Sequence, residues 1–154
     1  MTIKLSTGLA TLLAGTTGFA SVFANGVIEI RTGSQPADAD QAPTGTLIGL
    51  VTLNSGAFTP GTATNGLTFG AASNGVVNKS GTWSFVGINS VTANTPGWFR
   101  FLANAVDSGA LSTTLPRLDG TCAASGGDMN LSNMSIINGA TVTVDGFSWT
   151  QPKS

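Results

Sequence analysis

The first 26 residues carry apolar side chains at the spacing of a helix. Two sets recur every three or four residues, and together they comprise Leu5, Leu9, Leu12, Leu13, Phe19, Val22 and Phe23. Ser6 or Thr7 can act as the N-cap, and Asn25-Gly26 is a typical helix end. The pattern predicts one or two short helices, whose apolar faces pack either in the core or on a partner subunit.

From Gly26 onward, apolar and polar residues alternate over short runs that Gly, Asn and Pro separate. The strands predicted by these runs are residues 27–31, 46–53, 67–70, 75–79, 82–88, 98–102, 111–118 and 140–150. The stretch 123–133 is predicted to be a long loop. Because helices do not alternate with the strands, a doubly wound parallel sheet is not expected. The spacing favours a mainly β fold, an antiparallel β-sandwich of jelly-roll-like or Ig-like type with a short N-terminal helical segment.

The chain length fits one domain, and no linker divides the sequence. Within this one chain we expect a short N-terminal arm followed by a single domain. Residues 1–26 form an N-terminal helical arm, and residues 27–154 form a single β-sandwich domain.

The chain is poor in side chains that perform chemistry. It has no His, no Tyr, one Cys, and only six basic and seven acidic residues among 154. Acid–base catalysis, covalent catalysis and metal binding draw mainly on these scarce types. The composition predicts a protein that is not an enzyme, with no catalytic residue, no cofactor and no metal site. Cys122 has no His to activate it, so we expect a buried or half-buried thiol.

The charge of the chain indicates what kind of partner it has. The formal net charge is −1, and the basic residues are scattered along the sequence. This distribution offers no attraction for nucleic acid or for an anionic membrane, and we expect neither as a partner. Few charges also mean weak self-repulsion. We therefore expect a homo-oligomer, or a chain that spends its life packed against other subunits.

Two pairs of acidic residues are candidates for chemistry. Asp38 and Asp40 could share a calcium ion, and Asp119 and Asp128 could flank a glycosidase cleft. The first pair lacks a Gly pivot and a distal Glu, and nothing in the sequence brings the second pair together. We interpret all four as loop and turn residues.

The three tryptophans lie in alternating strands. Trp83 and Trp149 each have a Phe two residues away, which predicts burial on a shared strand face. Trp98 shares its strand face with Arg100 instead. Because Trp and Arg are favoured anchors of interfaces, we expect this pair at a surface. A row of exposed tryptophans would indicate glycan binding.

Three stretches of the chain resemble a known family. They are LSTGL at 5–9, ANGVIEIRTGSQPADADQAPTGTLIG at 24–49, and 97–133 with its GWFRF, LSTTLPRLDG and SGGDMNLSN segments. Together they are similar to small virion-associated proteins of tailed bacteriophages. The three stretches hold 68 of the 154 residues, and the resemblance lies in turns and strand edges rather than catalytic signatures. It implies a structural role in the virion, and it assigns no functional residue.

These observations predict a non-enzymatic virion protein. We expect a capsid decoration (cement) protein that binds the major capsid protein or other virion subunits and stabilises the assembled shell. A tail or neck component is one alternative, and a glycan-binding β-sandwich module is another. The side chains expected to contact a partner lie on the arm and on the aromatic strand, and they are Leu9, Leu12, Phe19, Phe23, Trp98 and Arg100.

Overall fold

The computed structural model describes residues 3–152. Two short helices lie near the N-terminus, α1 (Thr7–Ala14) and α2 (Phe19–Val22). The strands are β1 (Lys4–Leu5), β2 (Val27–Arg31), β3 (Leu47–Leu53), β4 (Thr68–Phe69), β5 (Val76–Ser80), β6 (Trp83–Val86), β7 (Trp98–Leu102), β8 (Arg117–Ala123), β9 (Met129–Leu131), β10 (Thr141–Gly146) and β11 (Ser148–Thr150). Within residues 3–152, no helix has the length and apolar character needed to span a bilayer.

Helix α1 begins where a serine hydroxyl satisfies a free backbone donor. Ser6 Oγ accepts a hydrogen bond from Leu9 N–H at 3.1 Å, and Gly15 caps the other end. The same hydroxyl donates to Leu115 O at 2.8 Å and accepts from Arg117 N–H at 2.9 Å. The N-cap therefore also fastens α1 to the start of β8. The prediction of short N-terminal helices is confirmed.

Seven strands hydrogen-bond in a closed circuit, in the order β8–β7–β2–β3–β6–β10–β9. The parallel pairing of β9 with β8, through Cys122 with Met129 and Ala123 with Asn130, completes the circuit. Strand β1 adds to β8, while β11, β5 and β4 form a separate three-stranded sheet. The predicted mainly β fold is confirmed. The predicted two-sheet sandwich is corrected, because these strands close into a barrel.

The turn at 124–128 makes this closure possible. Thr121 N–H and Thr121 Oγ1 both donate to Asp128 Oδ2 at 2.8 Å, which draws the turn back onto β8. Strand β9 then runs alongside β8 within the stretch where the sequence predicted a loop. A three-residue strand between Gly-rich and Ser-rich turns has too little alternation to be recognised. The closing pair of strands is therefore hidden in the sequence.

The strand predicted at 111–118 is mostly a loop, because β8 begins only at Arg117. Ser112 Oγ accepts from Thr114 N–H at 3.3 Å and from Leu115 N–H at 3.1 Å. These local side-chain bonds bind backbone donors that a strand would offer to a neighbour. The residues that alternate in this region consequently form a turn.

The core is rich in aromatic rings, and it includes the N-terminal segment. Phe19 packs against five rings, with centroid distances that include 6.3 Å to Phe101 and 4.6 Å to Trp149. Leu9 and Phe23 are fully buried in the same cluster. Through Leu9, Phe19 and Phe23, the segment predicted as an N-terminal arm packs against the core, while α1 also carries exposed residues such as Leu12.

Replacing Phe19 with alanine tests whether the N-terminal segment shares the core. We expect Phe19→Ala to lower the free energy of unfolding by about 3–5 kcal/mol, because a buried ring with five ring neighbours leaves a cavity. Urea unfolding followed by tryptophan fluorescence measures the change. Phe58→Ala is the matched control, since Phe58 is only half-buried and should cost clearly less. A loss below about 1 kcal/mol for Phe19→Ala would contradict a shared core.

Candidate interaction surface

One side of the barrel carries a row of opposite charges across four neighbouring strands. Strand pairing places Glu29 opposite Arg100, Arg100 opposite Asp119, and Asp119 opposite Lys4. Because alternate residues of a strand share a face, the row lies outside the barrel, while Phe99 and Phe101 point inward. Acid and base therefore alternate from β2 through β7 and β8 to β1.

The centre of this row is a buried ion pair. Arg100 Nε and Nη2 donate to Asp119 Oδ1 and Oδ2, each at 2.7 Å, and both side chains are 1% exposed or less. Arg100 Nη1 donates to Gln41 O at 2.8 Å, and the guanidinium carbon lies 5.5 Å from the ring centroid of Trp98. The hydrogen bonds to Asp119 and Gln41 thus hold the planar guanidinium of Arg100 in one orientation.

A second arginine fastens two loops to the same side. Arg117 Nε and Nη2 donate to Asp107 Oδ2 and Oδ1 at 2.7 Å and 2.6 Å. Arg117 also donates to Ala110 O at 2.8 Å and to Asp40 O at 3.1 Å. Residues 32–46 and 103–116 are therefore held over β7 and β8, and we refer to these two loops as the loop cover. The cover encloses the charges that a strand face would otherwise present to solvent.

The two paired aspartates have shifted pKa values in opposite directions. Burial raises the pKa of Asp119, and this effect exceeds the opposing effect of the Arg100 hydrogen bonds and charge. Burial also acts to raise the pKa of Asp107, but hydrogen bonds from Arg117 and Gly109 N–H, with the arginine charges, lower it overall. Both carboxylates are therefore bound to arginines, Asp107 from the loop cover and Asp119 from β8 beneath it.

A different side of the barrel has exposed aliphatic side chains and no charge. We call it the uncharged face, and it consists of Leu50, Val86, Ile88, Val91 and Ile137. Val91 is 92% exposed, and Ile137 is 49% exposed. The segments that build the face, residues 46–53, 83–94 and 136–141, contain no Asp, Glu, Lys or Arg. Depletion of charge combined with exposed apolar area is typical of the centre of a protein interface.

Hydrogen bonds show that these side chains adjoin one another. Strand β3 pairs with β6 through Thr52 and Ser84, so two residues further along, Leu50 and Val86 occupy matching positions. Ile88 follows Val86 at the two-residue spacing of one strand face. Leu50, Val86 and Ile88 therefore form one continuous strip.

The remaining two residues of the face lie in loops that bond to each other. Gly87 N–H donates to Ala140 O at 2.8 Å, and Gly139 N–H donates to Gly87 O at 3.0 Å. Ser90 N–H donates to Asn138 Oδ1 at 2.7 Å. These bonds bring the loops that carry Ile137 and Val91 to the end of β6.

On the β2 side, the uncharged face borders an ion pair within the chain, Glu29 with Arg31. Glu29 lies opposite Leu50 across the β2–β3 pairing. Arg31 Nε contacts Glu29 Oε2 at 2.8 Å, with both side chains less than one-fifth exposed. The face thus ends where the charged side of the barrel begins.

The predicted contact residues lie mostly inside the chain. Leu9, Phe19 and Phe23 are core residues, and only Leu12, at 36%, exposes a substantial part of its side chain. Trp98 and Arg100 share a strand face, as expected, but the loop cover buries both to 1% exposure. Five of the six side chains therefore have no accessible surface to offer a partner in this conformation.

The tryptophans and the thiol are also buried or half-buried. Trp83 and Trp98 are buried, and Trp149 stacks on Phe19 with an interplanar angle of 3°. No row of exposed tryptophans is present among residues 3–152. Cys122 is buried as expected, and burial, with the charge of Asp128, raises the pKa of its thiol. A thiol in this state is a poor nucleophile.

A polar cleft of about 370 Å³ lies apart from both surfaces, and its charged lining residues are Lys79, Asp128 and Asp145. The two carboxylates already accept hydrogen bonds, Asp128 from Thr121 and Asp145 from Thr143 Oγ1 at 2.9 Å. Within the described part of the chain, no three His, Cys, Asp or Glu side chains are grouped as metal ligands. Of the second candidate pair, Asp119 accepts hydrogen bonds from Arg100 and Asp128 accepts hydrogen bonds from Thr121.

Removing one partner of the central ion pair tests how strongly the loop cover is held. We expect Asp119→Asn to lower the free energy of unfolding by about 3–5 kcal/mol, because Arg100 then keeps a buried, uncompensated charge. The double variant Arg100→Met with Asp119→Asn should recover part of that loss, since no unpaired charge remains. Chemical denaturation at neutral pH provides both values. A double variant that is no more stable than Asp119→Asn would contradict the coupling between Arg100 and Asp119.

The lowered pKa of Asp107 predicts how stability responds to acid. A carboxyl whose pKa is lower in the folded than in the unfolded state stabilises the fold above the unfolded pKa. That contribution is lost as the pH falls through the folded pKa. We therefore expect the unfolding free energy of Asp107→Asn to be lower at neutral pH and to approach that of wild type as the pH falls below 3.8, the ordinary pKa of this carboxyl.

Unfolding curves at several pH values measure this convergence. Asp119, whose pKa is raised, contributes with the opposite sign, but it is present in both proteins and cancels in the difference. Asp145→Asn, which removes a carboxylate at an exposed position, is the control for the general loss of one acidic group. A constant gap between Asp107→Asn and wild type across the acid range would contradict the assignment.

Comparison of the chain with protein-family models, with curated proteins and with solved structures finds no match. No comparison therefore links the chain to phage virion proteins, and that resemblance stays a prediction from the sequence. The features of the molecule that bear on its function are its buried charges and its uncharged face.

Proposed function

We propose that the chain is a non-enzymatic structural subunit of a tailed-phage virion, and that it is a capsid decoration protein. The observation that carries the proposal is the uncharged face, on which five aliphatic side chains are exposed without an ionic group among them. A surface of this composition favours burial against another protein. The resemblance of residues 5–9, 24–49 and 97–133 supplies the virion context.

The titratable groups support a binding role over a catalytic one. Arg100 and Arg117 are engaged with buried carboxylates, and the thiol of Cys122 is buried with a raised pKa. These groups stabilise the loop cover and the barrel. We therefore infer a binding role. Its driving force is the free energy gained when another protein covers the uncharged face.

The closed barrel determines what kind of contact is available. Its seven strands have neighbours on both sides, so it does not present an open edge for strand addition from another subunit. On the barrel wall, contacts therefore form through side chains, with about 25 cal/mol gained per Å² of apolar surface that is covered. The open strand edges lie outside the barrel, on β1 and on the β11–β5–β4 sheet. Repetition over a symmetric shell multiplies modest contacts, because a subunit that bridges two capsomers makes its second contact intramolecularly.

Particle fractionation tests the proposal. Particles from lysates of the source culture are purified on a density gradient, heads are separated from tails, and the chain is quantified by mass spectrometry. We expect it in the head fraction at a fixed ratio to the major capsid protein. An abundant host enzyme serves as the control for carry-over and should be lost.

Two results would contradict the proposal at different levels. Recovery in the tail fraction alone would replace decoration with a tail or neck role. Absence of the chain from purified particles would remove the virion role altogether.

A further inference from the structure

We propose that Asn74–Gly75 is a site of spontaneous covalent modification, at which the asparagine amide is converted to a carboxylate. This modification does not depend on the virion role, because the reaction needs only the chain and water. The dipeptide Asn-Gly occurs four times in the sequence, at 25–26, 65–66, 74–75 and 138–139. The structure treats one of these four pairs differently from the others.

The reaction begins with the backbone nitrogen that follows the asparagine. Gly75 N attacks the side-chain carbonyl carbon of Asn74, and the new carbon–nitrogen bond closes a succinimide ring. The bond from that carbon to Nδ2 breaks, and the side-chain amide leaves as ammonia with the proton that Gly75 N–H gives up. Water then opens the ring at either carbonyl, and the products are aspartate and isoaspartate. Glycine favours the attack because it has no Cβ to hinder its nitrogen.

At three of the four pairs, the glycine nitrogen already donates a backbone hydrogen bond. The acceptors are Phe23 O for Gly26 at 3.0 Å, Ala63 O for Gly66 at 3.3 Å and Gly87 O for Gly139 at 3.0 Å. Gly26 and Gly66 are also buried. A nitrogen held in this way reaches the asparagine carbon only after its hydrogen bond breaks.

The asparagines of these three pairs are held as well. Asn65 Nδ2 donates to Ala57 O at 2.9 Å, and Asn138 Oδ1 accepts from Ser90 N–H at 2.7 Å. Asn25 N–H donates to Leu67 O at 2.8 Å. These bonds restrain the rotation that would bring the amide carbon to the following nitrogen.

The pair at 74–75 has neither restraint. Among residues 3–152, neither Gly75 N–H nor the side chain of Asn74 has a hydrogen-bond partner. Both residues are exposed, and they form the tip of a hairpin turn with φ values of 52° and 81°. The attacking nitrogen and the amide that it attacks are therefore both in contact with solvent.

The turn must open before the ring can close, because the left-handed conformation of Asn74 directs Gly75 N away from the side chain. Two bonds close the tip, Ser73 N–H to Val76 O and Val76 N–H to Ser73 O, each at 2.9 Å. Exposed turn tips open locally at a low free energy. Opening at Asn25 or Asn65 instead disturbs a buried glycine. The fold thus protects these pairs more than it protects Asn74.

The products change the turn and its charge. Isoaspartate lengthens the backbone by one methylene group, which the paired bonds between Ser73 and Val76 cannot accommodate. Gln151 N–H donates to Gly75 O at 2.8 Å, and this bond depends on the same turn. Either product also adds one negative charge to a chain whose formal net charge is −1. We expect the start of β5 to loosen from the end of β11.

Peptide mapping by mass spectrometry tests the site. The full chain is incubated at neutral pH below its unfolding temperature, and each Asn-Gly peptide is quantified for replacement of NH2 by OH. We expect Asn74 to convert at least about tenfold faster than the other three asparagines, because each bound glycine nitrogen must first lose a hydrogen bond. Electron-transfer fragmentation distinguishes isoaspartate from aspartate.

The same incubation in denaturant separates the effect of the fold from that of the sequence. Without the fold, all four pairs should convert at comparable rates. In the folded chain, Asn74→Gly, which suits a positive φ, should remove most of the ammonia released, and Asn138→Gly is the matched control that should leave it nearly unchanged. Circular dichroism establishes that both variants are folded. Conversion at Asn74 no faster than at the other pairs, or the same ranking in denaturant, would overturn the proposal.

Discussion

The two buried arginine–aspartate pairs are the interaction on which the surface of this molecule depends. Arg100 with Asp119 and Arg117 with Asp107 each form two charge-assisted hydrogen bonds, and both guanidinium groups also bind loop carbonyl oxygens. Charges removed from water are stable only when they are fully paired. The loops must therefore stay in place over β7 and β8. As a result, much of the ionic content of a charge-poor chain is confined to one side of the barrel.

The consequence of this confinement is a molecule with two unlike sides. The side under the loop cover is polar within and tightly bonded, while the side built on β3 and β6 exposes aliphatic groups and carries no charge. Such an asymmetry has little use in a solitary protein, for which exposed apolar area is a liability. It suits a subunit that is always in contact with others. The proposed assembly role therefore follows from the uneven distribution of charge over the surface of the barrel.

The sequence could predict local elements better than it could predict their arrangement. The N-terminal helices and most strands follow from spacing and turn residues, which are local signals. The barrel could not be predicted, because it depends on Thr121 and Asp128 bringing a three-residue strand back to β8. The shared face of Trp98 and Arg100 was predictable from a period of two, but their depth depends on loops that are distant in sequence. The same limit applies to Phe19 and Phe23, since spacing identifies an apolar face without saying what covers it. The uncharged face had one available signal, the absence of charged residues in 46–53 and 83–94.

Electron cryomicroscopy of the chain in its native assembly tests the central claim most directly. The account predicts that Leu50, Val86, Ile88, Val91 and Ile137 are covered by another protein surface, with the loop cover intact on the far side. A map in which these side chains face solvent would contradict it.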